Sequence, residues 1–152
     1  MLRLFRCLAL VFSLGVFGCG GGVKPEVIPP LEPVSGIVTL DGTPTAGISV
    51  TFFPTGAAGA KGNPCTGTTD ASGKYSLKHR SGKDGVPAGD YIALFSKLAM
   101  PDGSPIPEGK TAADVAAVEQ IPDYYRQMDN LTNGCAVPKG GKTDANFDIK
   151  TK

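Results

Sequence analysis

Hydrophobic and polar residues alternate along several short runs after residue 33, and this period of two is typical of β-strands that bury one face. The clearest runs are 34–40 and 48–53, which are rich in β-branched residues and are joined by the turn signal Asp41-Gly42. The least polar run, 90–96, is expected to be an interior strand. We predict an all-β domain with seven strands, at 34–40, 48–53, 65–69, 74–78, 90–96, 134–137 and 145–150.

Residues 98–120 interrupt this alternation. The first part, 100–109, is rich in Pro and Gly and predicts a long loop. Thr111 and Asp114 then resemble a capping box with Asp in place of Glu, so the insert is predicted to contain either a short helix over 114–120 or only loop. A loop of this length is either a functional segment or a variable connection between sheets, and the sequence leaves both interpretations open.

The N-terminus has the pattern of a secretory signal over residues 1–18. Arg3 and Arg6 precede the apolar run 8–17, which is too short to span a bilayer. The sequence Val-Phe-Gly-Cys ending at Cys19 resembles a bacterial lipobox, although an ordinary signal peptide with an incidental Cys is the alternative. The resemblance implies a lipid anchor on Cys19, with several acyl chains holding the protein at a membrane. Gly20 after that Cys implies the outer membrane, with the domain in the periplasm or at the cell surface.

Residues 19–33 combine Gly-Gly-Gly with four prolines and predict a tether between the lipidated Cys and the domain at 34–152. The alternative is an edge strand, which the prolines disfavour.

Three segments carry a resemblance to a known family: Val-Ser-Gly-Ile-Val-Thr-Leu-Asp-Gly-Thr-Pro at 34–44, Thr-Asp-Ala-Ser-Gly-Lys-Tyr at 69–75, and Val-Pro-Ala-Gly-Asp-Tyr at 86–91. In this order they resemble the carboxypeptidase regulatory-like domain. The tail at 121–149 looks like the ending of small bacterial lipoproteins built on that domain. The resemblance implies a seven-stranded, transthyretin-like β-sandwich, and it implies no particular activity, because a fold does not specify a function.

The four cysteines divide by position. Cys7 leaves with the signal and Cys19 takes the lipid, so Cys65 and Cys135 remain in the domain. An oxidising compartment favours a disulfide between them, which would close a loop of about 70 residues and contribute about 4 kcal/mol in the chain-entropy model. The alternative is two buried free thiols.

Composition and motifs exclude several classes of function. A net charge of +1 with 19% charged residues provides no basic surface for nucleic acid. His79 is the single histidine, expected in a solvated loop, and the chain contains no HExxH, no GxSxG and no P-loop motif. We therefore predict no catalytic residues, no metal site and no cofactor.

Tyr124 and Tyr125 form the one aromatic pair outside a predicted strand. These rings either stack on a sugar or a partner, or fill one end of the domain. The sequence thus predicts a non-enzymatic cell-envelope lipoprotein that serves as a structural or protein-interaction module. The alternative is a carbohydrate- or peptide-binding module whose contact surface comprises Tyr124, Tyr125 and the loop 98–109, with an envelope protein or glycan as partner.

Overall fold

The computed structural model describes residues 28–56 and 62–152, and this part of the chain is built almost entirely from β-strands. The predicted all-β class is therefore confirmed. All seven predicted runs contain a strand, and five two-residue strands accompany them. The strands are β1 Leu31–Glu32, β2 Ser35–Leu40, β3 Thr43–Pro44, β4 Ser49–Pro54, β5 Cys65–Thr68, β6 Lys74–Ser76, β7 Val86–Pro87, β8 Gly89–Ser96, β9 Leu98–Ala99, β10 Val118–Glu119, β11 Gly134–Val137 and β12 Phe147–Ile149. Two short 3-10 helices, Asp123–Arg126 and Leu131–Asn133, precede β11.

Two larger sheets organise the domain. The central sheet is antiparallel, with strand order β11-β8-β4-β5. β8 thus lies between two partners, as its apolar sequence predicts. In the second sheet, β2 pairs on one side with β12, which runs parallel to it, and on the other side with β3 and β6.

The hydrophobic core lies between these sheets. Phe52 of β4 and Phe95 of β8 point inward and meet Phe147 of β12, with ring centroids 6.2 and 4.9 Å apart. Val38 of β2 and Phe52 have no exposed surface. A fully buried side chain of this kind contributes about 2 kcal/mol through the hydrophobic effect, so the alternation seen in the sequence provides the main stabilisation.

The turn at Asp41-Gly42 forms as predicted, but it joins different strands. Asp41 and Gly42 both adopt the left-handed conformation, with φ of 52° and 82°, which suits a tight hairpin turn. The chain then returns along β2 as β3 and crosses to the central sheet as β4. The two runs on either side of the turn therefore lie in different sheets.

The predicted boundary of the tether is wrong at its C-terminal end. Leu31 and Glu32 form β1, which pairs with β7. The side chain of Glu32 also accepts a hydrogen bond from the backbone of Gly140, and the carbonyl of Pro33 accepts one from Lys142. An edge strand of two residues needs few backbone donors, so the prolines around it are tolerated. Cys19 and the rest of the tether up to residue 27, like the predicted signal, lie outside the described residues.

The predicted helix over 114–120 is also wrong. The capping box itself forms: the amide and hydroxyl of Thr111 both donate to the carboxylate of Asp114. Ala116 then adopts a left-handed φ of 49°, which ends the turn, and Val118 pairs with Ala99 as part of a small β-ladder. A helix of two turns is marginal on its own, and here strand pairing replaces it.

The predicted disulfide is contradicted by the structure. Cys65 and Cys135 are both free and buried. Cys65 lies on β5 and Cys135 on β11, which are the two outer strands of the central sheet. Three strand spacings separate them, about 14 Å, whereas a disulfide requires Cα atoms within about 7 Å. Their separation along the sequence says nothing about which edge of a sheet each strand occupies.

Candidate functional site

The surface of the central sheet that faces away from the core is the candidate site, and it is called the outer face here. Because side chains alternate along a strand, the inward positions Val50 and Phe52 of β4 leave Ser49, Thr51 and Phe53 on the outer face. These three side chains are partly exposed.

An apolar cleft of about 270 Å³ occupies the middle of the outer face. Phe53 and Leu94 form its floor, and the hydroxyls of Ser49 and Thr51 line one side. Arg126 lines the opposite side and makes an ion pair with Asp123 on the same 3-10 helix. The cleft therefore offers an apolar contact area between hydroxyl groups and one guanidinium.

The segment that carries Arg126 is held by its own hydrogen bonds. The buried side chain of Asn130 donates to the carbonyl of Tyr124 at 2.8 Å and accepts from the amide of Thr132 at 3.1 Å. Both 3-10 helices contact β8, and Ile92 on the outer face is only 6% exposed. This packing fixes the wall of the cleft relative to its floor.

A polar groove of about 510 Å³ adjoins the apolar cleft, and the two share Ser49. Thr66 and Thr68 of β5 lie opposite Thr51 and Ser49, so the hydroxyls form rows across neighbouring strands. Within residues 28–56 and 62–152 none of these four hydroxyls has a hydrogen-bond partner. They are free to bind a ligand.

The far wall of the polar groove depends on Gly67. A Cβ at this position would lie 2.3 Å from the carbonyl oxygen of Ser76, so only glycine lets the two chain segments approach this closely. Ser76 and Lys78 line that wall, and Lys78 makes an exposed ion pair with Asp84 at 3.7 Å. Each of the two cavities thus contains one basic side chain: Lys78 lines the polar groove and Arg126 lines the apolar cleft.

Ser96 also lines the apolar cleft, but its hydroxyl already has a hydrogen-bond partner. Its hydroxyl donates to Glu119 at 2.6 Å, and that carboxylate also accepts from the amides of Lys97 and Ile121. Burial raises the pKa of Glu119, but these hydrogen bonds outweigh it, so the pKa lies below its usual value. Glu119, on β10, therefore connects the two-stranded ladder of β9 and β10 to β8 of the central sheet.

The predicted tyrosine pair has two separate roles. The rings of Tyr124 and Tyr125 meet edge to face with centroids 5.4 Å apart. Tyr125 packs against the core, and its hydroxyl accepts a hydrogen bond from the amide of Lys150. Tyr124 is 51% exposed and available to a partner. Tyr125 therefore has a structural role, whereas Tyr124 remains a candidate for binding.

The loop 98–109 lines a cleft to which the two tyrosines do not contribute. A separate apolar cleft of about 340 Å³ lies between this loop and the turn after β3, and Leu98, Pro105 and Ala46 line it. Neither Tyr124 nor Tyr125 lines it. A contact surface that combines the tyrosines with this loop stays a prediction.

His79 is not the solvated loop residue that the sequence predicts. It is 5% exposed, and its Nδ1 lies 3.0 Å from the hydroxyl of Ser81, inside a tight turn. Among the described residues, no three His, Cys, Asp or Glu side chains are arranged to hold a metal ion.

Sequence reasoning missed the outer face, although one signal for it was present. Phe53 follows Ser49 and Thr51 at intervals of two, so the alternation places an aromatic ring on an otherwise polar face. An apolar residue in that position often marks a contact surface.

In the part of the chain that the structure describes, no helix is long and apolar enough to cross a membrane. A scan against models of protein families, a search of curated proteins and a search of solved structures each returned no match.

Proposed function

We propose that this protein is a non-enzymatic cell-envelope lipoprotein, held at the membrane by lipid on Cys19, whose β domain is an interaction module that binds a partner on the outer face. We further propose that the domain is a transthyretin-like β-sandwich. Two packed sheets and strands within all seven predicted runs support this assignment.

The observation that carries the proposal is the chemistry of the outer face. Its apolar residues Phe53 and Leu94 lie beside hydroxyls that have no hydrogen-bond partner among the described residues, on strands in the interior of a sheet. Rigid strands hold binding groups in place better than loops do. The described residues that line the cleft and the groove include no carboxylate or imidazole, so their serine and threonine hydroxyls have none of these bases in the lining to activate them as nucleophiles. This favours binding over catalysis at this face.

The lipid anchor has a direct test. Replacing Cys19 by alanine removes the thiol that receives the lipid, so the protein should move from the membrane to the soluble fraction of fractionated cells. Cys7→Ala, within the predicted signal, is the matched control and should leave the membrane fraction unchanged. Retention of the Cys19→Ala protein in the membrane would contradict the anchor.

Binding at the outer face predicts a partner that depends on Phe53. With the full chain as bait in an envelope extract, Phe53→Ala should reduce the captured partner at least about tenfold, because central aromatic residues dominate most interfaces. Ile37→Ala is the control, since Ile37 is 41% exposed on the second sheet. Equal capture by both variants would exclude the outer face.

A carbohydrate is the second candidate for the ligand, and the hydroxyl rows favour it. Ser49, Thr66 and Thr68 can each donate and accept hydrogen bonds, which suits a neutral, hydroxyl-rich polymer. On a glycan array the wild-type chain should bind and Phe53→Ala should not. Binding that is lost in Tyr124→Ala but kept in Phe53→Ala would assign the ligand to the exposed tyrosine instead.

A further inference from the structure

The two buried cysteines occupy positions that folding keeps apart. Cys65 lies opposite Phe52, and Cys135 lies opposite Tyr91, so both thiols point into the core from the same side of the central sheet. β5 and β11 are its two edges, separated by two intervening strands. The distance of about 14 Å across these strands is twice the largest Cα separation that a disulfide spans.

In the unfolded chain the same thiols meet readily. About 70 residues separate them, and the entropic cost of closing a loop grows only slowly with its length. We infer that folding of this domain and cross-linking of Cys65 to Cys135 are mutually exclusive, so that oxidation of the unfolded chain holds it out of the native structure.

The reaction balances as a thiol–disulfide exchange with a disulfide oxidant. One cysteine thiolate attacks the oxidant, forms a mixed disulfide and releases the first thiolate of the oxidant. The second cysteine thiolate then attacks the protein sulfur of the mixed disulfide and releases the second thiolate of the oxidant. The chain loses two electrons and two protons, and the oxidant is reduced to two thiols.

The folded domain protects both groups from this reaction. Cys65 has no exposed surface and Cys135 is 7% exposed. Burial raises the pKa of both thiols, that of Cys65 to about 11, so little of the reactive thiolate is present near neutral pH. Once folded, the domain is expected to keep two reduced thiols even in an oxidising compartment. This inference is independent of the proposed binding function.

Refolding of the full chain tests the inference, with Cys7 and Cys19 replaced by alanine so that Cys65 and Cys135 are its only thiols; this is the two-cysteine chain. Reduced protein unfolded in urea is treated at low concentration with diamide, which takes two electrons and two protons from two thiols to form the disulfide. After removal of diamide and dilution from urea, the cross-linked monomer should fail to regain the native circular dichroism spectrum. Dithiothreitol should restore it. Diamide should cross-link the folded protein at least about 100-fold more slowly, since only unfolded molecules react.

Cys65→Ala and Cys135→Ala in the same two-cysteine chain are the controls, because each then retains one thiol and cannot form an internal bridge. Both should refold equally well with and without diamide. If either variant fails to fold at all, the reduced and the dithiothreitol-treated two-cysteine chains still provide the comparison. A cross-linked monomer that regains the native spectrum with its bridge intact would overturn the inference, as would equal cross-linking rates for folded and unfolded chains.

Discussion

Gly36→Ala is expected to destabilise the domain by about 3 kcal/mol or more, at the upper end of the cost of overpacking a core. A Cβ at Gly36 would lie 1.9 Å from the carbonyl oxygen of Ala145. That oxygen cannot retreat easily, because it accepts a hydrogen bond from the hydroxyl of Tyr75 at 2.6 Å. The amide of Ala145 in turn donates to Ser35 at 3.1 Å. The methyl group therefore breaks a buried contact between β2, β6 and the segment before β12.

Urea denaturation followed by circular dichroism measures this loss. Gly42→Ala is the matched control: Gly42 has a positive φ of 82°, but open space surrounds its Cβ position. That substitution costs only the conformational strain, about 1 kcal/mol. A Gly36→Ala variant no less stable than Gly42→Ala would show that the close approach to Ala145 is not rigid.

Phe52→Ala is expected to cost about 3–5 kcal/mol, a large part of the stability of a typical domain. Phe52 is fully buried, and its ring meets Tyr91 at 5.8 Å and Phe147 at 6.2 Å between centroids. Its removal leaves a cavity between the two sheets. Thermal or urea denaturation gives the difference in the free energy of unfolding.

The neighbouring residue supplies the control for this experiment. Phe53 has the same side chain on the same strand, but it is partly exposed on the outer face. Phe53→Ala is expected to cost about 1 kcal/mol, since the truncated ring leaves no enclosed cavity. Equal losses from the two variants would mean that the inward and outward faces of β4 are misassigned.

Local patterns predict the strands well and their partners poorly. Alternation places Val38 and Phe52 in the core because each strand has one buried face, and this holds wherever the strand pairs. The hairpin turn at Asp41-Gly42 is local and forms as expected. The identity of the strand that follows the turn does not depend on local sequence. Two residues, β3, complete the hairpin before the chain crosses to the other sheet.

The same limit explains the errors at the sites. Tyr124 and Tyr125 are adjacent and identical in sequence, but the hydroxyl of Tyr125 accepts a hydrogen bond from the amide of Lys150, which is 25 residues away. Cys65 and Cys135 both read as buried strand residues, and nothing in their neighbourhood indicates opposite edges of one sheet. Phe53 was within reach of sequence reasoning, since its position on the polar side follows from alternation alone.

The parallel pairing of β12 with β2 has a consequence for how the domain is made. Phe147 lies beside Val38 and Ile149 beside Leu40, so β2 completes its pairing with a strand that is synthesised much later. A nascent chain must leave β2 without this neighbour until residues 147–149 have been synthesised, and contacts this distant in sequence slow folding. The second sheet therefore cannot be completed before β12 has been synthesised, and until then the apolar side of β2 lacks this partner.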